Sequence, residues 1–142
     1  MVTMPIRAIL VASLLSLAAC ATSGPGGGPR EREAAQLERY RAFAGAPVKD
    51  FHFWNLDRWE VLGEADLVVW TNPRDAYLLH VQRPCTGLDF ANTIALTSTQ
   101  QRVHARFDAV LFDNQRCRIA EIRPVDGQAV KAARRAESDA QP

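Results

Sequence analysis

After Pro47 the chain changes to short strand-like runs, some of them alternating so that every second side chain lies on one side of a strand. The run Phe51–Trp54 is aromatic-rich, and Arg58–Leu62 alternates, with Trp59 and Val61 on one face. Leu67–Thr71 and Ala76–Val81 follow, split by Asn72-Pro73-Arg74-Asp75, a strong turn signal. Leu88–Thr97 is a longer β-prone stretch. Arg102–Asp108 has the cleanest alternation, with Val103, Ala105 and Phe107 inward and Arg102, His104, Arg106 and Asp108 outward. Asp113-Asn114 turns the chain into a last strand, Arg116–Ile122, ahead of Pro124. About five to seven short strands without intervening helices predict a mainly β (α+β) fold, a small antiparallel barrel or sandwich.

Several of these runs are apolar on both faces, Leu67 to Trp70 and Tyr77 to Leu79 above all. A sheet with one wet face would alternate instead, so something must cover the second face. The candidate is an N-terminal helix over Glu31–Ala44, with Leu37, Tyr40 and Ala44 on one stripe, Gly45 as its C′ residue and Pro47 as a stop. An isolated helix this short is marginal in water, so it should pack across the sheet or plug one end of a barrel. A single globular domain over 31–126 results. Residues 127–142, small and charged, read as a frayed helix or a flexible tail.

The chain ahead of this domain has the three parts of an export signal over residues 1–19: Arg7, an apolar core from Ala8 to Leu17, and the small residues Ala18 and Ala19. That core is too short to span a bilayer, which takes about 20 apolar residues. The order Leu17-Ala18-Ala19-Cys20 reads as a lipoprotein signal, with lipid on Cys20 anchoring the mature chain to a membrane. Residues 20–30 then form a lipidated cysteine and a Gly/Pro tether, reaching on the order of 15–20 Å. The expected location is the bacterial envelope, facing the periplasm. Ala21, where an acidic residue would signal inner-membrane retention, favours the outer membrane.

Removing Arg7 with the signal leaves basic and acidic side chains equal in number. That balance argues against a nucleic-acid partner, which would select a basic excess. Beyond Cys20 the cysteines are Cys85 and Cys117, in no Cys-x-x-Cys motif and without a nearby histidine. In an exported protein they most simply form one disulfide, closing a loop of about 33 residues worth about 3.5–4 kcal/mol. It would pin the loop after Ala76–Val81 to the final strand.

Recognisable chemistry is sparse. His52, His80 and His104 are far apart in sequence, with no metal-ligand spacing; His104 should face water, and His52 and His80 should pack on aromatic neighbours. Ser98 lacks the glycines of a nucleophile elbow, and Asp108 has no identifiable catalytic partner, although triad members need not be close in sequence. Gly26, Gly27 and Gly28 lack the strand, lysine and hydroxyl of a phosphate loop, and no cofactor motif is present. Trp54, Trp59 and Trp70 could line a ligand groove, although aromatic residues in a small β domain are more often core.

Cys85-Thr86-Gly87-Leu88, Ile94 to Ser98, Phe107-Asp108-Ala109-Val110, Cys117-Arg118-Ile119 and Ile122-Arg123-Pro124-Val125 form an ordered set. With Trp59 and Asp66 to Trp70 upstream, it resembles a family of short proteobacterial lipoproteins known only as a domain of unknown function, over roughly Tyr40 to Asp126. The resemblance implies an envelope lipoprotein with two cysteines and no assigned activity, cofactor or catalytic residue. The expectation is therefore a non-enzymatic lipoprotein with a structural or protein-interaction role and an envelope protein as partner. The alternative is a small-ligand-binding β module with an aromatic-lined pocket at Trp54, Trp59 or Trp70. A hydrolase built on Ser98, Asp108 and a histidine, and an inhibitor of a foreign hydrolase, rank below both.

Overall fold

The computed structural model describes residues 27–141. The signal segment, Cys20 and most of the tether lie outside the described residues. Eight strands form two antiparallel sheets: β1 (Asp50–His52) pairs with β6 (Arg102–His104), and a six-stranded sheet runs β2-β3-β4-β8-β7-β5. Its members are β2 (Arg58–Val61), β3 (Asp66–Trp70), β4 (Asp75–Val81), β5 (Ala95–Leu96), β7 (Ala109–Phe112) and β8 (Gln115–Asp126). The fold is mainly β, with one sheet curled into a half-barrel. Two helices accompany it, α1 (Pro29–Ala42) and α2 (Gly127–Ala140).

Every residue of β3 is buried, as its unbroken apolar run requires. Leu67 and Val69 face one core, with Leu79 and Val81 of β4, Ile119 and Ile122 of β8, and Phe51 and Val103 of the β1–β6 ribbon. Val68 and Trp70 face the other, with Leu78, Val125, Tyr40 of α1 and Val130 of α2. The expected helical cover is thus present. It takes two helices.

Residues 127–142, read as a frayed helix or flexible tail, carry the second helix over Gly127–Ala140. Asp126 caps α2, its carboxylate accepting from the Gln128 and Ala129 N–H groups, and Val130 is buried. Val130 is its one large buried side chain, and the rest of its inward side is small, with Gly127 buried and Ala129 and Ala133 half-buried. A half-buried cluster fastens the helices together over the sheet. Tyr40 Oη donates to Glu60 Oε2 at 2.8 Å, and Arg134 Nη2 donates to both Glu60 oxygens at 2.9 Å. Arg39 pairs with Glu137 between the helices.

The other end of the domain also departs from the expected bounds. Helix α1 starts at Pro29, taking Pro29 and Arg30 from the tether, because proline suits a first helical turn and the Gly28 carbonyl accepts from Glu31 and Arg32. Gly45 is no C′ residue: its N–H bonds the Pro124 carbonyl at 2.8 Å, while Phe43 and Ala44 close the helix. Strand β8 runs through Pro124, where the expected strand stopped short. Ile122, Pro124 and Asp126 turn their polar groups toward residues 43–48, and Arg123 and Val125 therefore serve the β4 ladder. Pro124's missing N–H falls on the outer side, where no ladder bond is lost.

Leu88–Thr97 is largely irregular: Gly87, at φ +90°, starts a 3₁₀ turn at Leu88–Phe90, and only Ala95–Leu96 pairs. The turns at Asn72 and Asp113-Asn114 are as expected. The Asn72 side-chain oxygen accepts from Arg74 and Asp75, and Asp113 and Asn114 both take positive φ to close the β7–β8 hairpin. Cys85 and Cys117 form the disulfide, with Cα atoms 5.8 Å apart, joining the loop after β4 to β8.

Two outcomes follow. A methyl group at Gly127 would overlap the Trp70 indole and sit 3.2 Å from the Arg74 carbonyl. The ring cannot swing away easily, because Arg58 stacks on it at 3.9 Å and Lys131 lies 5.0 Å from its centre. Gly127→Ala should lower stability in urea denaturation by about 1–3 kcal/mol despite alanine's better helix propensity; unchanged or higher stability would show that Trp70 is not fixed. Burial, then the bond donated to Glu60, pushes the Tyr40 hydroxyl up from 10.0 to about 12. Its contribution to stability is present below pH 10 and lost as pH rises through 12. A phenolate absorbance titration should show one hydroxyl ionising near pH 12, absent in Tyr40→Phe; a Tyr40 titration at the ordinary tyrosine value would contradict the cluster.

Candidate functional site

The site grows from an irregularity in β8. Pairing with β4 slips between His80 and Val81, which face Glu121 and Ile119, so Ala120 is an extra residue. That bulge puts Ile119 and Ile122, three apart in sequence, into the same core. Beyond it the two neighbours on the outer edge of β8 part company. Val48 lies along Ile122, whereas Arg106 and Asp108 bond to Ile119. A cleft of about 730 Å³ opens between them, lined by Val48, Asp50, His104, Phe107, Ala120 and Glu121 among others.

Phe107 stands at this cleft because the expected alternation fails after His104. Arg106 takes φ +67°, and the chain turns tightly, with Asp108 N–H bonding His104 O at 2.9 Å. The turn reverses two assignments. Phe107, expected inward, is 66% exposed; Asp108, expected outward, is 2% exposed. The Asp108 carboxylate accepts from Thr97 Oγ1 and from the His104 backbone N–H, both at 2.7 Å. Thr97 Oγ1 in turn accepts from Ala109 N–H at 2.9 Å. Asp108 is therefore the anchor that holds Phe107 out. Only φ above zero at a non-glycine residue makes this inversion, and nothing in the Arg106 side chain announces it.

A second cleft, about 590 Å³, shares Ala120 and Glu121 with the first and lies at the end of α1, beside Arg41, Asp66, His80 and Arg123. Asp66, His80 and Glu121 form one row across β3, β4 and β8. His80 Nδ1 lies 3.0 Å from Asp66 Oδ1, so His80 packs on a carboxylate where an aromatic neighbour was expected. Arg41 Nη2 is 3.9 Å from the same oxygen, and Arg123 binds Glu121. The row fixes the imidazole's orientation and leaves Nε2 free. No serine, threonine or cysteine lines that cleft to use it as a base.

The other sequence candidates are dispersed. Trp54 is 69% exposed after β1, stacked edge-on against His52 at 5.0 Å. Trp59 packs on one core and Trp70 is buried in the other, on opposite faces of the sheet. A hollow touching both is about 160 Å³, below the roughly 300 Å³ at which small-molecule pockets begin. The three tryptophans do not form a shared pocket. Ser98 is exposed, and Asp108 spends its oxygens on Thr97 and backbone. His104 does line the first cleft, with Nδ1 3.7 Å from Asp50. Among the described residues, no three His, Cys, Asp or Glu side chains come together as a metal site, and no helix is long and apolar enough to cross a membrane.

A family model described as a family of unknown function, DUF6491, matches residues 2–141, and the chain belongs to that family. No curated protein and no solved structure matches it.

The roles of Asp108 and Phe107 separate by mutation. Asp108→Ala leaves a buried hydroxyl and a backbone N–H without their charged acceptor and should cost about 3 kcal/mol or more in urea denaturation. Phe107→Ser should change stability by no more than about 0.5 kcal/mol. Equal effects would mean that Phe107 is a packing residue.

Proposed function

We propose that this chain is a lipoprotein of the bacterial envelope, anchored through Cys20, facing the periplasm and acting by binding another envelope protein at the Phe107 cleft. The observation that carries the reading is Phe107 itself. A large aromatic side chain is held away from the core by a positive-φ turn and a buried carboxylate, at the mouth of a cleft. Trp54 and Phe90 are exposed as well, at 69% and 78%, but neither lines this cleft, and Phe107 is the one held out beside a buried carboxylate. A rigid aromatic ringed by polar groups is the usual form of an interface anchor. Here the ring is Lys49, Asp50, His104, Arg106 and Glu121.

Two further features support the anchoring half. The family match begins at residue 2 and so includes the Leu17-Ala18-Ala19-Cys20 sequence. The disulfide suits an oxidising compartment. Binding is the role best supported, because what the fold builds at the first cleft is an exposed aromatic with polar groups around it. The outer membrane's inner leaflet is the favoured location, from Ala21.

Both halves are testable in intact cells. A fatty-acid analogue should label the protein, and Cys20→Ser should abolish labelling and release the protein from membranes; an unlabelled wild type would end the lipoprotein reading. A photocrosslinking residue at position 107 should capture one discrete polypeptide, and one at the exposed Arg135 of α2 should not. Capture at neither position, or equally at both, would overturn the Phe107 cleft as the interface.

A further inference from the structure

We propose that Arg83, Arg116 and Arg118 form a site for phosphoryl groups whose shape is held by the Cys85–Cys117 disulfide. The site shares no lining residue with the Phe107 cleft and does not depend on that reading. Arg116 and Arg118 flank Cys117 on β8, so both project away from the face that buries the cysteine. Arg83 stands two residues before Cys85 in the loop after β4. Together with Gln82 and Pro84 they line a hollow of about 350 Å³ on the outside of the disulfide.

Charge sets this hollow apart: three arginines and no acidic side chain line it. Arg39, Arg41, Arg102, Arg123 and Arg134 each have a carboxylate within ion-pair distance. Among the described residues, Arg83, Arg116 and Arg118 have none, as is true of other surface arginines such as Arg58 and Arg135, but these three line one hollow. Three like charges around one concavity repel each other, and an oxyanion placed among them removes that repulsion. Guanidinium groups present planar forks of N–H donors that match phosphoryl oxygens two at a time. Three such forks suit an ion with more than one negative charge, a phosphate monoester or a pyrophosphate, better than a single carboxylate.

The hollow is also pre-shaped. The disulfide fixes the Cys85 and Cys117 backbones 5.8 Å apart. Gln82 N–H bonds the Arg118 carbonyl at 2.8 Å, and the Gln115 side-chain amide bonds the Thr86 carbonyl at 2.6 Å. The loop carrying Arg83 is therefore tied to β8 on both sides of Cys85. Such ties lower the ordering cost of binding. The cysteine pair thus does more than stabilise the fold: it sets the spacing of the arginines.

Phosphoryl groups reach an envelope protein either free in solution or on a lipid head group, and one titration separates these sources. The full chain, purified in a neutral detergent with its disulfide intact, is titrated calorimetrically with inorganic pyrophosphate, dihexanoyl phosphatidic acid and, as control, dihexanoyl phosphatidylcholine. At least one of the first two should bind at one site per chain, weaken with added salt, and lose affinity about tenfold or more in Arg116→Gln/Arg118→Gln. Pyrophosphate alone binding assigns a soluble ligand; phosphatidic acid alone binding assigns a head group. All three side chains are exposed, so neutral replacements keep the fold, and Arg83→Gln, outside the sheet, serves as a second variant. No binding of either ligand, equal binding of phosphatidylcholine, or affinity unchanged in both variants overturns the proposal.

Discussion

The structure depends on one constraint: β3 and β4 are apolar on both faces. A strand of this kind cannot face water, and each fully buried Val or Leu contributes about 1.5–3 kcal/mol only while both faces stay covered. The chain meets the requirement in two ways. On one face the sheet curls over itself and the β1–β6 ribbon closes the gap, bringing Phe51 and Val103 into the core. On the other, α1 and α2 lie across Val68, Trp70 and Leu78. Glu60 holds both helices to this face, accepting from Tyr40 of α1 and from Arg134 of α2.

The functional surfaces are consequences of that closure. Strand β8 feeds the curled core through Cys117, Ile119 and Ile122 and the helix-covered core through Val125, and the bulge at Ala120 keeps Ile119 and Ile122 on the same side. The same bulge separates the two segments running beside β8 and so opens the cleft in which Phe107 stands. At the other end of the strand, the disulfide holds the long loop after β4 against Cys117 and gathers three arginines outside it. Both proposed surfaces are therefore attached to β8, a strand fixed along most of its length, which is where a binding site keeps its geometry best.

Much of this was legible in the sequence, and the exceptions have physical reasons. The double-faced apolar runs of Leu67–Trp70 and Tyr77–Leu79 disclosed both the sheet and its need for cover. Asn72 and Asp113-Asn114 disclosed their turns through side-chain and positive-φ chemistry, and Cys85 and Cys117 their pairing. Three things were hidden. Helix α2 carries a single large buried residue, Val130, and packs otherwise through small residues, with Gly127 against an indole. The exchange of Phe107 and Asp108 arises from the backbone angle at Arg106, which that residue's identity does not signal. The loss of strand over most of Leu88–Thr97 begins at Gly87, where a left-handed residue starts a 3₁₀ turn in an otherwise β-prone run. The arginine site had a visible trace, since Arg83 and Arg116 to Arg118 bracket the two cysteines, but only the fold brings them together.

The central claim is that α2 is a wall of the second core and not an appendage. Native-state hydrogen exchange of the full chain tests it most directly. Amides of α2 from Lys131 to Arg134 should exchange far more slowly than free peptide and lose that protection when Tyr40→Phe and Glu60→Gln together remove the clamp. Exchange of those amides at free-peptide rates in the wild type, beside fully protected β3 and β4, would contradict the account.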